Sequence, residues 1–399
     1  MTGKKILFLT TASVATNPRL LKSYLYWRDQ GCTCQVIAFR LNNWSDSLDD
    51  HLVKKYNLDL LSIPAAKQNH LFWLLASLLN RFLAFFPSSL LSIQFLAYAS
   101  NKRSWQLMQY LKRNDFAYDH IEAHNLGALY PAYYWSKEKK KTYSFDVEDF
   151  HPEEKISFQK DKEKVRRYLL MKKLLPFAKY VTAASPLIAE ETQKLIHKKV
   201  VTVNNSFLEA EFKSPKNLKI NNKLKLLWFS QYISFGRGLE YFLEAAWHYK
   251  KHLQICLIGD LNEEFKSKVI VPKQEFIELK STMPQEDLHA VLADYDIGLA
   301  LEDGKEDYNR EICLTNKIWA YYQAGLFILA SKTKAQTQFM EQRPEHGQLI
   351  SLEKNELTSA LKDLIEDKAL IQSFKEKRYR KAKTESIEYE MEKLKQLMK

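Results

Sequence analysis

The chain is short of cysteine, glycine and proline, and each shortage excludes something. Its four cysteines, Cys32, Cys34, Cys256 and Cys313, form no disulfide framework and no Cys-x-x-Cys metal pair, which fits a reducing cytosol. Ten glycines and eleven prolines in 399 residues leave no long low-complexity linker. No uninterrupted apolar run is long enough to span a bilayer. Gly-x-Ser-x-Gly, the Walker loop and the nicotinamide-type Gly-x-Gly-x-x-Gly are all missing, which removes several hydrolase and nucleotide-binding classes. Lys4, Lys5 and the apolar residues after them could pass for a signal peptide. That apolar core is very short, however, and Asn17, Pro18 and Arg19 lead straight into a helical pattern, so a first buried strand is the better reading.

What remains is apolar and basic. A 46% hydrophobic content is ample for real cores, and the length suggests two domains of roughly 200 residues each. A net charge of +12 favours an anionic partner, a nucleotide, a phospholipid surface or nucleic acid, or else reflects a solvated basic surface.

Short apolar runs alternate with helical patterns from end to end. Runs at 6–10, 34–39, 58–63, 118–123, 142–147, 180–183 and 200–203 read as strands with helices between them. After a looser polar stretch at 204–222 the alternation restarts, with strands at 224–229, 253–258, 276–279, 297–300 and 326–330. Helices are predicted at 20–27, 239–249, 285–292, 314–324 and 357–364. Such alternation means parallel sheets covered on both faces. The predicted fold is α/β with two doubly wound Rossmann-like domains, 1–205 and 206–375, and a helical tail at 376–399. Ligands in such sheets bind at the carboxyl ends of strands.

Residues 71–100 stand apart. Leu71, Leu74, Leu75, Leu78, Phe82, Phe85 and Phe86 make one apolar helical stripe that ends at Pro87. Core-facing helices of the first domain are the plainer expectation. A helix in the membrane interface, or a groove for a lipid-linked acceptor, is the functional alternative.

Chemistry gathers at four places. In the stretch 309–331, apolar Leu314, Ile318, Tyr321 and Tyr322 recur on one helical face, which puts Thr315, Asn316 and Lys317 in the first turn. Free amides and the positive end of the helix dipole suit an anion there. Ser230 and Gln231 follow a strand, and Gly236, Arg237 and Gly238 open the next helix, the geometry of a phosphate-binding turn with a guanidinium fork. Asp146, Glu148, Asp149 and His151 end the strand at 142–147. His124 and Asn125 close the strand before it. Two tempting signals are discounted: His248 and His252 have metal spacing but no third ligand, and Asp294 and Asp296 read as a turn.

Taken in order, these markers resemble the large retaining family of GT-B glycosyltransferases that use nucleotide sugars. Asn17, Pro18 and Arg19 before a helix resemble the family's opening. His124 and Asn125, then Glu148 and Asp149, resemble its cleft-facing loops. Phe229 to Glu240 resembles the donor-diphosphate turn, and Asn316 and Lys317 through Gly325 the nucleotide-binding helix. The chain departs from the pattern in places. The family often has histidine where Glu148 stands, arginine at Gln231 and lysine at Arg237. Its helix usually carries a ribose-holding glutamate five residues before the glycine, at Ala320 here.

The resemblance implies two domains facing across a cleft, and transfer of a sugar to an acceptor hydroxyl with retention. It implies a nucleoside diphosphate sugar as donor and no metal or other cofactor. Arg237, Gly238, Arg310, Thr315, Asn316 and Lys317, with Ser230 and Gln231, would bind the donor, and Glu311 would position its sugar. Glu148 or Asp149 would face the sugar or acceptor, with Asn17, Arg19, His124, Asn125 and His151 on the acceptor side. The expected partners are the nucleotide sugar, a glycan or lipid-linked acceptor in cell-surface polysaccharide or glycoconjugate synthesis, and an anionic membrane surface, but not nucleic acid. The expected place is the cytoplasm, with peripheral contact to the inner face of the plasma membrane. Two alternatives stay open: an inactive GT-B scaffold that binds without catalysing, and a nucleotide-sugar epimerase.

Overall fold

The computed structural model describes residues 3–65, 70–156, 159–215, 222–305 and 307–398. The chain forms two compact units: Met1–Asn204 with Met391–Lys399, and Asn205–Glu390. Residues 376–390 therefore belong to the second unit and the last nine residues to the first.

The first unit holds a seven-stranded sheet. Its strands are β1 (Lys5–Thr10), β2 (Thr33–Arg40), β3 (Leu60–Pro64), β4 (His120–His124), β5 (Thr142–Val147), β6 (Val181–Ala183) and β7 (Val201–Thr202). Their order is β3-β2-β1-β4-β5-β6-β7, and every pairing is parallel. The helices between them are α1 (Pro18–Asp29), α2 (Ser45–Tyr56), α3 (His70–Phe85), α4 (Ile93–Ser100), α5 (Lys102–Arg113), α6 (Leu126–Glu138), α7 (Lys160–Leu174) and α8 (Pro186–Ile196). Local chemistry sets their starts. Asn17 caps α1 by accepting from the Leu20 amide, and Pro18 occupies the first turn, where its missing N–H costs nothing. Ser185 and Pro186 repeat this at α8.

The second unit holds six parallel strands: β8 (Leu224–Ile233), β9 (Leu253–Leu261), β10 (Ile277–Lys280), β11 (Ile297–Ala300), β12 (Phe327–Ser331) and β13 (Gly347–Ile350). Their order is β10-β9-β8-β11-β12-β13. Helix α9 (Leu239–Ala246) follows β8. Leu226, Trp228, Leu257, Leu299 and Leu329 are buried at the centre of its core. In both sheets the strand order reverses at one place, between β1 and β4 and between β8 and β11. Those reversals open a crevice beyond the carboxyl ends of the strands.

Several sequence expectations shift. β8 runs on to Ile233 through a bulge between Phe229 and Tyr232. β13 was not predicted, because Leu349 and Ile350 alone make too short an apolar run. The helix Asn316–Gln323 is not amphipathic, since every residue from Lys317 to Gln323 is buried. The largest correction concerns α3. Its leucine and phenylalanine stripe does not face the core: Leu71, Leu74, Leu75, Leu78, Phe82 and Phe85 are all exposed. The inward face carries Ala76, Leu83 and Ala84. Asn80 joins them, donating to the Tyr98 and Ala99 carbonyls at 2.7 and 2.8 Å.

Candidate active site

In the second unit, two predicted residues, Arg237 and Lys317, converge at the β8/β11 reversal on a third, Glu302, that the sequence reading passed over. Glu302 lies two residues beyond β11 and is buried. Its Oε1 meets Lys317 Nζ at 3.0 Å and Arg237 Nη1 at 3.2 Å. Ser331, at the end of β12, fixes the Glu302 backbone: its hydroxyl accepts from the Glu302 amide at 2.9 Å and donates to the Glu302 carbonyl at 2.7 Å. Burial resists charge on Glu302, but Lys317 and Arg237 outweigh it and hold the carboxyl below its ordinary value. Burial likewise lowers Lys317, opposed by Glu302. Lys317 also sits 5.3 Å over the Trp228 ring. The signal for Glu302 was present, since Glu302 and Asp303 are carboxylates just past an apolar strand, at a ligand-binding edge.

The turn after β8 is arranged around this pair. Gly238 begins α9 with φ +79°, and a Cβ there would lie 2.6 Å from Leu352 Cδ1, so no other residue fits without strain. The Gly236 amide donates to Glu240 at 2.9 Å and the Gly236 carbonyl accepts from Arg310 at 2.9 Å. Arg310 also pairs with Asp307 at 3.6 Å. Ser230 and Gln231 lie in β8 at the bulge rather than in the turn.

Thr315 precedes the helix Asn316–Gln323 without capping it through its side chain, and among the described residues its buried hydroxyl has no partner. The start of α9 also lacks a side-chain cap. Asn316 accepts from Asn205 at 2.6 Å. Glu311 accepts from the Lys334 amide at 3.2 Å. It packs so closely on Gly304 that a Cβ there would lie 1.7 Å from its Oε1. Ala320 is fully buried, and Gln323 clamps Phe207 through both its amide groups.

In the first unit the site builds on the β1/β4 reversal and on β5. Arg19 grips Asp146 with two donors, at 2.6 and 2.7 Å, and donates to the Val203 carbonyl at 2.8 Å. Arg19 is thus buried and committed to structure. His124 closes β4 with Nε2 3.3 Å from Glu122, and with Nδ1 3.5 Å from Glu148 and 3.7 Å from Asp146. Burial disfavours its charge, yet Glu122, Glu148 and Asp146 outweigh that and lift His124 to about 9. Glu122, a carboxylate inside a buried strand, was also missed. Ser23, Trp27 and Tyr180 donate to it.

His124, Asp146 and Glu148 offer ligand atoms within 4.8 Å of one another. Both Asp146 oxygens already accept from Arg19, which ties the group into an ion-pair network.

Asn125 follows His124 with φ +63°, a conformation uncommon for a residue with a side chain and frequent at functional sites. Its amide donates to Glu148 at 3.1 Å, and its carbonyl oxygen accepts from Thr10 and from Asn17. Asn17 thus links the helix cap to the site. Asp149 borders His151, whose amide donates to the Asp149 carbonyl at 2.8 Å. His151 is buried and bonds Glu154 at 2.9 Å. Burial opposes its charge, but Glu154 prevails and raises it above the ordinary value. Asn125, His151, Glu154 and Arg167 help to line a cavity of about 210 Å³ in this unit.

No protein-family model and no curated protein matches the sequence. Solved structures do match in fold. Anabaena HepE, solved with UDP-glucose, aligns over 99% of each chain with a TM-score of 0.69 at 15% identity. A glycosyltransferase from Rickettsia africae aligns over 100% of each chain, with a TM-score of 0.64 at 13% identity. A Listeria monocytogenes protein described as a UDP-N-acetylglucosamine 2-epimerase aligns over 99% of this chain and 95% of its own, with a TM-score of 0.60 at 11% identity. At these identities the likeness establishes the fold: this chain has the two-unit α/β architecture of the GT-B glycosyltransferases.

Proposed function

We propose that the protein is a glycosyltransferase that moves a sugar from a nucleoside diphosphate sugar to an acceptor hydroxyl with retention. One observation carries the reading. Two cations, Arg237 and Lys317, meet on Glu302 at the strand-order reversal, beside two helix starts without side-chain caps. That is a place for a diphosphate. The cations differ in freedom. Lys317 is buried against Glu302, whereas the Arg237 side chain is 33% exposed and can rotate onto the ligand as a bidentate clamp.

In the reaction, the anomeric carbon–oxygen bond to the diphosphate breaks and a bond to the acceptor oxygen forms on the same face. Arg237, Lys317 and the amides near Gly238 and Asn316 stabilise the departing charge. The leaving phosphate oxygen takes the acceptor proton, so the reaction requires no separate base, and Arg237 and Lys317 take the charge-stabilising part that a metal plays elsewhere. Arg310 braces the turn, with Ser230, Gln231 and Thr315 at its edges. Glu311 positions the sugar, and Glu148 or Asp149 faces the sugar or the acceptor. The cavity beside Asn125 and His151 suits one sugar unit of a glycan or lipid-linked acceptor in cell-surface polysaccharide or glycoconjugate synthesis. Four free thiols suit a cytoplasmic setting. HepE was solved with UDP-glucose, so uridine donors are the first to test.

The test is donor turnover. Purified protein incubated with a panel of nucleotide sugars should release the nucleoside diphosphate, faster with an acceptor glycan. Conversion of UDP-N-acetylglucosamine to its C2 epimer without an acceptor would favour the epimerase reading instead. No turnover with any donor would leave a scaffold.

A further inference from the structure

Helix α3 is oriented against the usual rule for soluble proteins. Its 16 residues span about 24 Å. Leu71, Leu74, Leu75, Leu78, Phe82 and Phe85 form one outward stripe, each 46–70% exposed. The inward face holds Ala76, Leu83, Ala84 and Asn80, and the Asn80 amide is held by carbonyls near the end of α4. That polar anchor fixes the rotation of the helix, so the apolar stripe cannot turn inward without breaking two hydrogen bonds. Six large apolar side chains in contiguous turns exceed the scattered exposure found on most soluble surfaces.

The surroundings say what covers this face. No carboxylate occurs between Asp59 and Asp115, whereas Lys67, Arg81, Lys102, Arg103, Lys112 and Arg113 lie in that interval. Two of these cations border the stripe, and Lys162, from outside the interval, lies at its end. Arg81 is exposed on α3 itself. Lys102 Nζ lies 3.3 Å from Ser77 Oγ and 4.6 Å over the Trp73 ring. Lys162, on α7, donates to the Phe85 carbonyl at 3.0 Å. Apolar residues bounded by cations in an acid-free segment complement acyl chains beneath anionic headgroups. A second copy of the chain fits poorly, because pairing this face with itself opposes like charges with no acid of the segment to offset them.

We infer that the exposed face of α3 docks the protein on an anionic phospholipid surface, with the leucine and phenylalanine stripe in the acyl boundary. The inference is independent of the transfer reaction and of the nucleotide. Its test is co-sedimentation of the full chain with vesicles of equal parts phosphatidylcholine and phosphatidylglycerol, against phosphatidylcholine alone. The wild type should sediment with the anionic vesicles and less so at high salt. The triple variant Leu75→Ser, Leu78→Ser, Phe82→Ser should partition about tenfold more weakly or worse. Arg81→Glu should weaken binding about fivefold or more at low salt. All four positions are exposed, so an unchanged melting curve checks folding. Absence of wild-type binding overturns the inference, as does equal binding by the triple variant. A dimer in ultracentrifugation that the triple variant abolishes, with no vesicle binding by either, overturns it in favour of a self-interface.

Discussion

Lys317 Nζ lies 3.0 Å from Glu302 Oε1, and Arg237 reaches the same oxygen at 3.2 Å. One buried carboxylate therefore holds two cations from different helix starts, and losing either cation has a different consequence. Lys317→Ala leaves the buried carboxylate with Arg237 alone and should cost on the order of 3 kcal/mol of stability. Arg237→Ala removes a partly exposed, screened partner and should cost under about 1 kcal/mol. Both should weaken donor binding roughly ten- to hundredfold, the worth of a lost charge-assisted hydrogen bond. Urea melts and donor titrations on the two variants check this split.

Gly238 starts α9 in a left-handed conformation against Leu352. Gly238→Ala should destabilise by about 1–3 kcal/mol through strain and overpacking. Adding Leu352→Ala relieves the clash but not the backbone strain, so only part of the loss should return. Denaturation of the single and double variants measures the two parts.

His124 titrates near 9 in the folded chain, against 6.5 for an ordinary histidine. Its charge therefore stabilises the fold fully below pH 6.5, and that contribution is lost as pH rises through 9. The integrated loss is roughly 3 kcal/mol. Unfolding free energy should fall between pH 6.5 and 9 in the wild type. His124→Gln should be less stable at pH 6 and nearly flat across the same window. A wild-type profile without that fall would contradict the network at β4 and β5.

Glu148 is partly exposed at the end of β5, tied to Asn125 and His124. Glu148→Gln keeps the shape and removes the charge. If it faces the reacting sugar, transfer should slow by about a hundredfold while donor affinity stays within about threefold. Comparing kcat with the donor dissociation constant separates this from a purely structural effect.

The periodicities carried most of the architecture. β5 and β11 were placed to the residue, because β-branched and apolar runs between turn signals have few other readings. Helix α3 could not be oriented from sequence, since an apolar stripe reads alike whether it faces a core or a bilayer. Asn80, the residue that fixes its rotation, acts through carbonyls some twenty positions away. The helix start at Gly238 was legible because glycine marks it, whereas the helix expected from Leu314 begins two residues later, at Asn316. Glu302 and Glu122 were not singled out, because their meaning lies in partners distant along the chain. Lys317 is fifteen residues beyond Glu302, and Ser23 is almost a hundred before Glu122. The strand edge marks the place of Glu302, but its long-range ion pairs leave no local pattern.

Arg237 and Lys317 are the proposed grip on a nucleoside diphosphate. Calorimetric titration of the wild type with uridine, guanosine, adenosine and thymidine diphosphates tests it most directly. At least one of them should bind saturably, with affinity weakened roughly tenfold or more in Arg237→Ala and in Lys317→Ala. No binding of any, or wild-type affinity retained in both variants, would contradict it.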